Sequence, residues 1–167
     1  CDEAVLQIRP YSDFDIAVAS SISPAGSKLA GRYGTGLLSI AATEPQGFQV
    51  LDYNYQAWQT EAALHGNAAP RSTWRLMGPM HIAETEKQAR ENCRYGLQWV
   101  MNYLSHIIPI GDPSAPPPPT DYDDFVEQMV SSGRGVIGTP EMAVEQIQRL
   151  IDKTGGFGTF LMLGADF

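Results

Sequence analysis

Cysteine is nearly absent from this sequence: Cys1 and Cys93 are the only two in 167 residues. No disulfide framework of the kind that staples small secreted domains is indicated, and a reducing cytoplasm is the expected setting. Basic residues are scarce too. The 11 Lys and Arg stand against 19 Asp and Glu, for a net charge of -8, so the electrostatic footprint needed to hold nucleic-acid backbones or anionic membranes is missing. Neither partner is expected. No apolar run approaches the roughly 18 residues of a membrane span, and no basic stretch leads into an apolar one as in a signal peptide. The three histidines and the scattered carboxylates show no ligand spacing, so no metal site is expected.

What is present is ordinary globular material. With 43% hydrophobic and 18% charged residues, the chain has enough apolar surface for the core of about one domain. Residues 16–19 are apolar on both faces, as a strand covered on both sides of a parallel sheet should be. A helix over 24–33, ended by Gly34-Thr-Gly36, and a second buried strand over 37–41 complete a βαβ unit. Helical spacing of Val50, Leu51, Asn54, Tyr55, Trp58 and Ala62 predicts a helix over 48–65 after a loop carrying Glu44 to Gly47. A strand over 73–83 follows. Thr85, with Gln88 in the reciprocal capping-box position, opens a helix whose stripe runs through Ala89, Cys93, Leu97 and Leu104. Residues 109–120 are proline-rich and aperiodic, which reads as an extended connector. A short acidic helix from Asp121, a brief apolar return at Val136-Ile-Gly138, a helix from Thr139-Pro140 to Gly155 and a strand over 157–163 complete the pattern.

Strands alternating with helices predict an α/β fold of about four parallel strands with outer helices. The first residue is Cys, and Phe167 directly follows an apolar strand. The expectation is a single partial domain over 1–167, cut at both ends, and part of a (β/α)8 barrel rather than a small open sheet. Binding in such barrels occurs at the C-terminal ends of the strands.

At that end of the first buried strand stands Ser20-Ser-Ile-Ser-Pro-Ala-Gly26. Ser23 occupies a helix N-cap position and Pro24 the first helical position. The amides of Ala25, Gly26 and Ser27 are expected to point outward at the positive end of the helix dipole, where a phosphate takes them together with the Ser23 hydroxyl. Gly26 is read as giving a ligand close approach to the backbone. Ser20 and Ser21 either touch that phosphate or are small residues making room at the strand end. An ordinary capped helix with nothing bound is the competing reading.

Four stretches in order carry a resemblance. They are Ala17-Val-Ala-Ser-Ser-Ile-Ser-Pro-Ala-Gly26 with Leu29-Ala-Gly-Arg-Tyr-Gly34, then Met80-His-Ile-Ala-Glu-Thr-Glu-Lys-Gln-Ala89, then Val136-Ile-Gly-Thr-Pro-Glu141, and finally Gly155-Gly-Phe-Gly-Thr-Phe-Leu-Met-Leu163. Together they resemble the C-terminal half of the luciferase-like flavin-dependent monooxygenases, with the limonene 1,2-monooxygenase-like members nearest. The resemblance implies a (β/α)8 barrel of which this chain supplies about strands five to eight, plus a small hairpin strand near Leu6-Gln-Ile. It further implies reduced FMN, supplied by a separate flavin reductase, with its phosphate at the Ser23 turn. O2 and a small apolar organic molecule are the implied substrates, one oxygen atom passing to the latter. A deazaflavin in place of FMN, or a non-catalytic flavin-binding module, is the alternative. The early strands of the family have no counterpart here, so no catalytic base is assigned.

Among the remaining candidates, His81 near the end of its strand is read as a substrate-binding residue or as a structural contact beside Thr85. Arg75 shares a face with Met77, Pro79 and His81 and reads as a salt-bridge residue, and Arg9 reads as a loop anchor or a phosphate contact. His65 and His106 belong to helix C-termini, and Asp121 to Asp124 to a solvated face. Cut to four strands, the barrel has two open edges, so self-association into a homo-oligomer is expected.

Overall fold

The computed structural model describes residues 11–12, 14–107 and 117–164. The predicted hairpin strand near Leu6, Arg9 and most of the 109–120 connector lie outside them. Along the chain run β1 (Ala17–Ser20), α1 (Ala25–Tyr33), β2 (Gly36–Ser39), α2 (Pro45–Gln49), α3 (Leu51–Leu64), β3 (Trp74–Ile82), α4 (Glu86–Cys93), α5 (Leu97–Ile107), α6 (Tyr122–Ser131), β4 (Val136–Gly138), α7 (Pro140–Thr154) and β5 (Thr159–Leu163). All strand pairs are parallel. The strand order is β1-β2-β3-β4, and β5 lies off this path, pairing with β3 from Arg75 to Pro79 while β4 pairs with the end of β3, at Met80 to Ile82. The four predicted strands are β1, β2, β3 and β5, and the brief return at Val136 is β4.

Side-chain alternation along strands decides what each sheet face holds. Val18, Leu37 and Trp74 are in register, as are Ser20, Ser39, Leu76 and Phe160. This face meets the helices, and Leu37, Trp74 and Leu76 share a core with Ala30, Tyr55, Trp58 and Leu150. Trp74 is fully buried and still needs a partner for its indole N–H, which it donates to Ser39 Oγ at 3.0 Å. The opposite face carries Ala17, Ala19, Leu38, Met77, Pro79, Leu161 and Leu163. Ala19 and Leu161 on it are exposed.

Helix starts differ from the sequence reading in three places. Pro24, not Ser23, is the N-cap of α1, since its carbonyl takes the first helical bond, from Lys28 N at 2.9 Å. The predicted Glu44 to Gly47 loop instead opens α2, because Pro45 fits the first helical position. The stripe from Thr85 is two helices, broken at 94–96, where Gly96 favours a turn over a helix interior. Thr85 Oγ1 does accept from Gln88 N at 3.1 Å, but the Gln88 side chain bonds Asn92 Oδ1 rather than returning to the cap. Asp121 caps α6 by accepting from Asp123 N and Asp124 N.

Tyr122 ties α6 to α4. Its O–H donates to the Arg90 carbonyl at 2.6 Å, and Arg94 stacks on its ring at 4.6 Å. Burial, then the neighbouring Cys93 thiol, pushes its pKa up from 10.0 to about 12. The folded state therefore holds this proton more tightly than the unfolded chain. The resulting stability is full below pH 10.0 and is lost as pH rises towards 12. Urea titrations across that window are expected to show falling stability in the native protein and a shallower fall in Tyr122→Phe, and identical slopes would remove Tyr122 as the cause.

Candidate functional site

Because the strands are parallel, their C-terminal ends share one rim. The 21–24 turn, the 40–44 loop after β2 and His81 with Ile82 all stand there. Of the predicted anion-turn residues, Ser23 and Ala25 are exposed. The Ser23 hydroxyl accepts from Ala25 N at 3.3 Å. The Gly26 and Ser27 amides lie in the first turn, where no carbonyl one turn back within the helix can take them. Ser20 turns inward. It is 3% exposed, and its hydroxyl bonds the Ser23 carbonyl and Ser27 Oγ, each at 3.1 Å. Ser21 is half-buried, and its carbonyl accepts from Asn54 Nδ2 at 2.9 Å.

Packing supplies a reason for glycine at 26 besides the ligand approach read in the sequence. A Cβ there would stand 2.3 Å from the Ala19 carbonyl and 3.0 Å from Ser20 Cα. The residue lets α1 start against the end of β1, so a substitution at 26 strikes strand–helix packing whatever it does to a ligand.

His81 Nε2 lies 3.0 Å from Asn92 Nδ2, and Asn92 Oδ1 is taken by Gln88 Nε2 at 2.6 Å. Asn92 therefore ties the His81 ring to α4. Arg75 pairs with Asp15 near the start of β3, far along the strand from His81. His65 Nδ1 lies 3.0 Å from the Glu61 carbonyl and His106 Nδ1 lies 2.7 Å from that of Asn102, both near helix C-termini. Cys93 is buried between α4, α5 and α6. Among the described residues no three His, Cys, Asp or Glu side chains are grouped to hold a metal, and no helix is long and apolar enough to cross a membrane.

Sequence reasoning placed Asn54 in an apolar stripe and missed its use. It is 1% exposed on α3, and its Nδ2 reaches the carbonyls of Ser21 at 2.9 Å and Ile22 at 3.4 Å. An asparagine inside an otherwise apolar stripe was the available signal, since a buried amide needs a partner. Arg134, which pairs with Glu44 at 2.9 Å, was also missed. Its partner is 90 residues away, and nothing local marks such a pair.

The luciferase-like monooxygenase family profile matches residues 3–156. The chain is 48% identical to a limonene 1,2-monooxygenase of Rhodococcus erythropolis over all of its own length and 42% of that protein. A solved structure similar in fold is the oxygenating constituent of 3,6-diketocamphane monooxygenase from the CAM plasmid of Pseudomonas putida, a type II Baeyer-Villiger monooxygenase in complex with FMN. Its TM-score is 0.65 at 23% identity, over 91% of this chain and 42% of that one. An F420-dependent secondary alcohol dehydrogenase in complex with an F420-acetone adduct aligns with a TM-score of 0.58 at 18% identity, over 97% of this chain and 46% of that one. The chain thus spans less than half the length of the curated relatives it matches. With a profile match over nearly its whole length and a parallel α/β sheet to go with it, the chain belongs to the luciferase-like monooxygenase family.

Proposed function

We propose that this chain forms the C-terminal half of a (β/α)8 barrel and seats the phosphate of reduced FMN in a monooxygenase that passes one oxygen atom of O2 to a small apolar organic molecule. The observation that carries this reading is the turn between β1 and α1. It combines an exposed Ser23 hydroxyl with first-turn amides that have no helical acceptor, and the first turn of α1 holds no acidic residue to neutralise the dipole. These groups fit a phosphate. Reduced FMN, supplied by a separate reductase, brings the electrons that activate O2. A deazaflavin would present its own phosphate to the same turn, and the absorbance of the cofactor released from purified protein separates the two.

This chain's residues bind, shield and orient. Ala19, Leu38, Met77, Pro79 and Leu161 form an apolar wall on the face away from the helices, suited to excluding water from the ring and holding an apolar substrate. His81, held against Asn92 of α4 near the end of β3, is the residue read as a substrate contact.

The test is Ser23→Ala alone, because Gly26 is committed to packing. Losing a hydroxyl that bonds a charged group is expected to weaken FMN about ten-fold while leaving riboflavin, which has no phosphate, near its original affinity. Equal losses for both ligands in fluorescence titrations would remove the phosphate from this turn.

A further inference from the structure

Asn54 is a buried polar group that the proposed function does not use. Its side chain sits on α3, 33 residues from Ser21 in the sequence, is 1% exposed, and directs its N–H donors at the carbonyls of Ser21 and Ile22. Its Oδ1 is buried without a hydrogen-bond partner. The orientation is fixed all the same, because exchanging Oδ1 and Nδ2 would set an oxygen against two carbonyl oxygens. One amide therefore holds two successive peptide units of the turn.

Peptide planarity gives that hold a consequence. In a trans peptide the carbonyl of one residue and the N–H of the next point in opposite directions, and no cis peptide occurs among the described residues. With the Ser21 and Ile22 carbonyls drawn towards α3, the N–H groups of Ile22 and Ser23 are turned away from it. Neither N–H has a partner among the described residues. We infer that Asn54 is a positioning residue that turns the Ile22 and Ser23 amides outward as anion donors, so that the phosphate is held by turn amides as well as by the first turn of α1. The same hold keeps two carbonyl oxygens, which would repel an anion, on the far side. Successive backbone N–H groups in a turn form a concave anion site of this kind. The inference rests on the phosphate seat proposed above.

The experiment compares Asn54→Leu, which keeps the approximate volume and removes both donors, with Leu150→Ala, a fully buried change in the core that Tyr55 and Trp58 of α3 share. FMN and riboflavin are each titrated against the full-length protein carrying this chain. Asn54→Leu is expected to lose FMN affinity about ten-fold with riboflavin within about two-fold, so that the preference for FMN collapses, whereas Leu150→Ala moves both ligands together. In the native protein, amide hydrogen exchange at Ile22 and Ser23 is expected to slow with FMN and not with riboflavin, a readout that does not depend on the variant folding. Retention of the FMN preference in Asn54→Leu, or unchanged exchange at both amides, overturns the role of Asn54 while leaving the Ser23 seat standing. A native protein that binds FMN and riboflavin equally overturns the seat and this inference with it.

Discussion

Gly31→Val is expected to destabilise the protein by about 3 kcal/mol or more, near the upper end of overpacking costs. Gly31 is buried in α1 where that helix crosses α3. A Cβ there would lie 2.6 Å from the Trp58 carbonyl oxygen, 2.7 Å from Ala62 N and 2.9 Å from Glu61 Cβ. Two of those atoms are backbone and have no rotamer to retreat into. The smaller change, Gly31→Ala, makes the contest explicit. Helix propensity alone favours alanine by about 1 kcal/mol, and the contacts oppose it by more, so it too is expected to destabilise. A shift of 3 kcal/mol corresponds to a fall of roughly 6–12 °C in Tm for a chain of this size. Thermal melts of both variants decide it, and a stabilised Gly31→Ala would mean that α1 and α3 do not approach as closely as described. Because Asn54 reaches the anion turn from α3, prising these helices apart is also expected to weaken FMN.

A second large effect concerns the chain in isolation, which we expect to associate with itself. β1, β4 and β5 each have one strand partner among the described residues, so the sheet offers open edges. Its face away from the helices carries Ala19, Leu38, Met77 and Leu161, with Leu161 38% exposed. Next to it, Met162 is 61% exposed although its strand neighbour Phe160 packs into the core. An apolar surface on the order of several hundred Å2 is what monomers rarely leave uncovered. Pairing of two copies edge to edge would cover open edges and the face at once. Sedimentation velocity of the isolated chain over a range of concentrations is the measurement. A well-folded monomer at high concentration would count against the half-barrel proposal.

The periodicities in the sequence were sufficient for the order of strands and helices, because burial of one helix stripe or of both strand faces writes itself directly into the spacing of apolar residues. Thus the strands at 16–19, 37–41, 73–83 and 157–163 agree with the structure to within a few residues, and Thr85 and Asp121 could be read as helix starts. The Ser-Pro-Ala-Gly turn could be found for the same reason, since a strand end, a proline and a helix start are neighbours in the chain.

What the sequence could not supply are the statements that depend on residues far apart meeting. That Ser20 turns inward onto Ser27, that Gly26 and Gly31 are demanded by the Ala19 carbonyl and by the α3 backbone, and that Asn54 holds the turn after β1 are all consequences of where α1 and α3 lie on the sheet. A glycine read locally signals only conformational freedom, and an asparagine in a stripe only an anomaly. Which neighbour stands 2.6 Å away, or which carbonyl takes the amide, is fixed by packing, and packing is the one thing a linear pattern does not record.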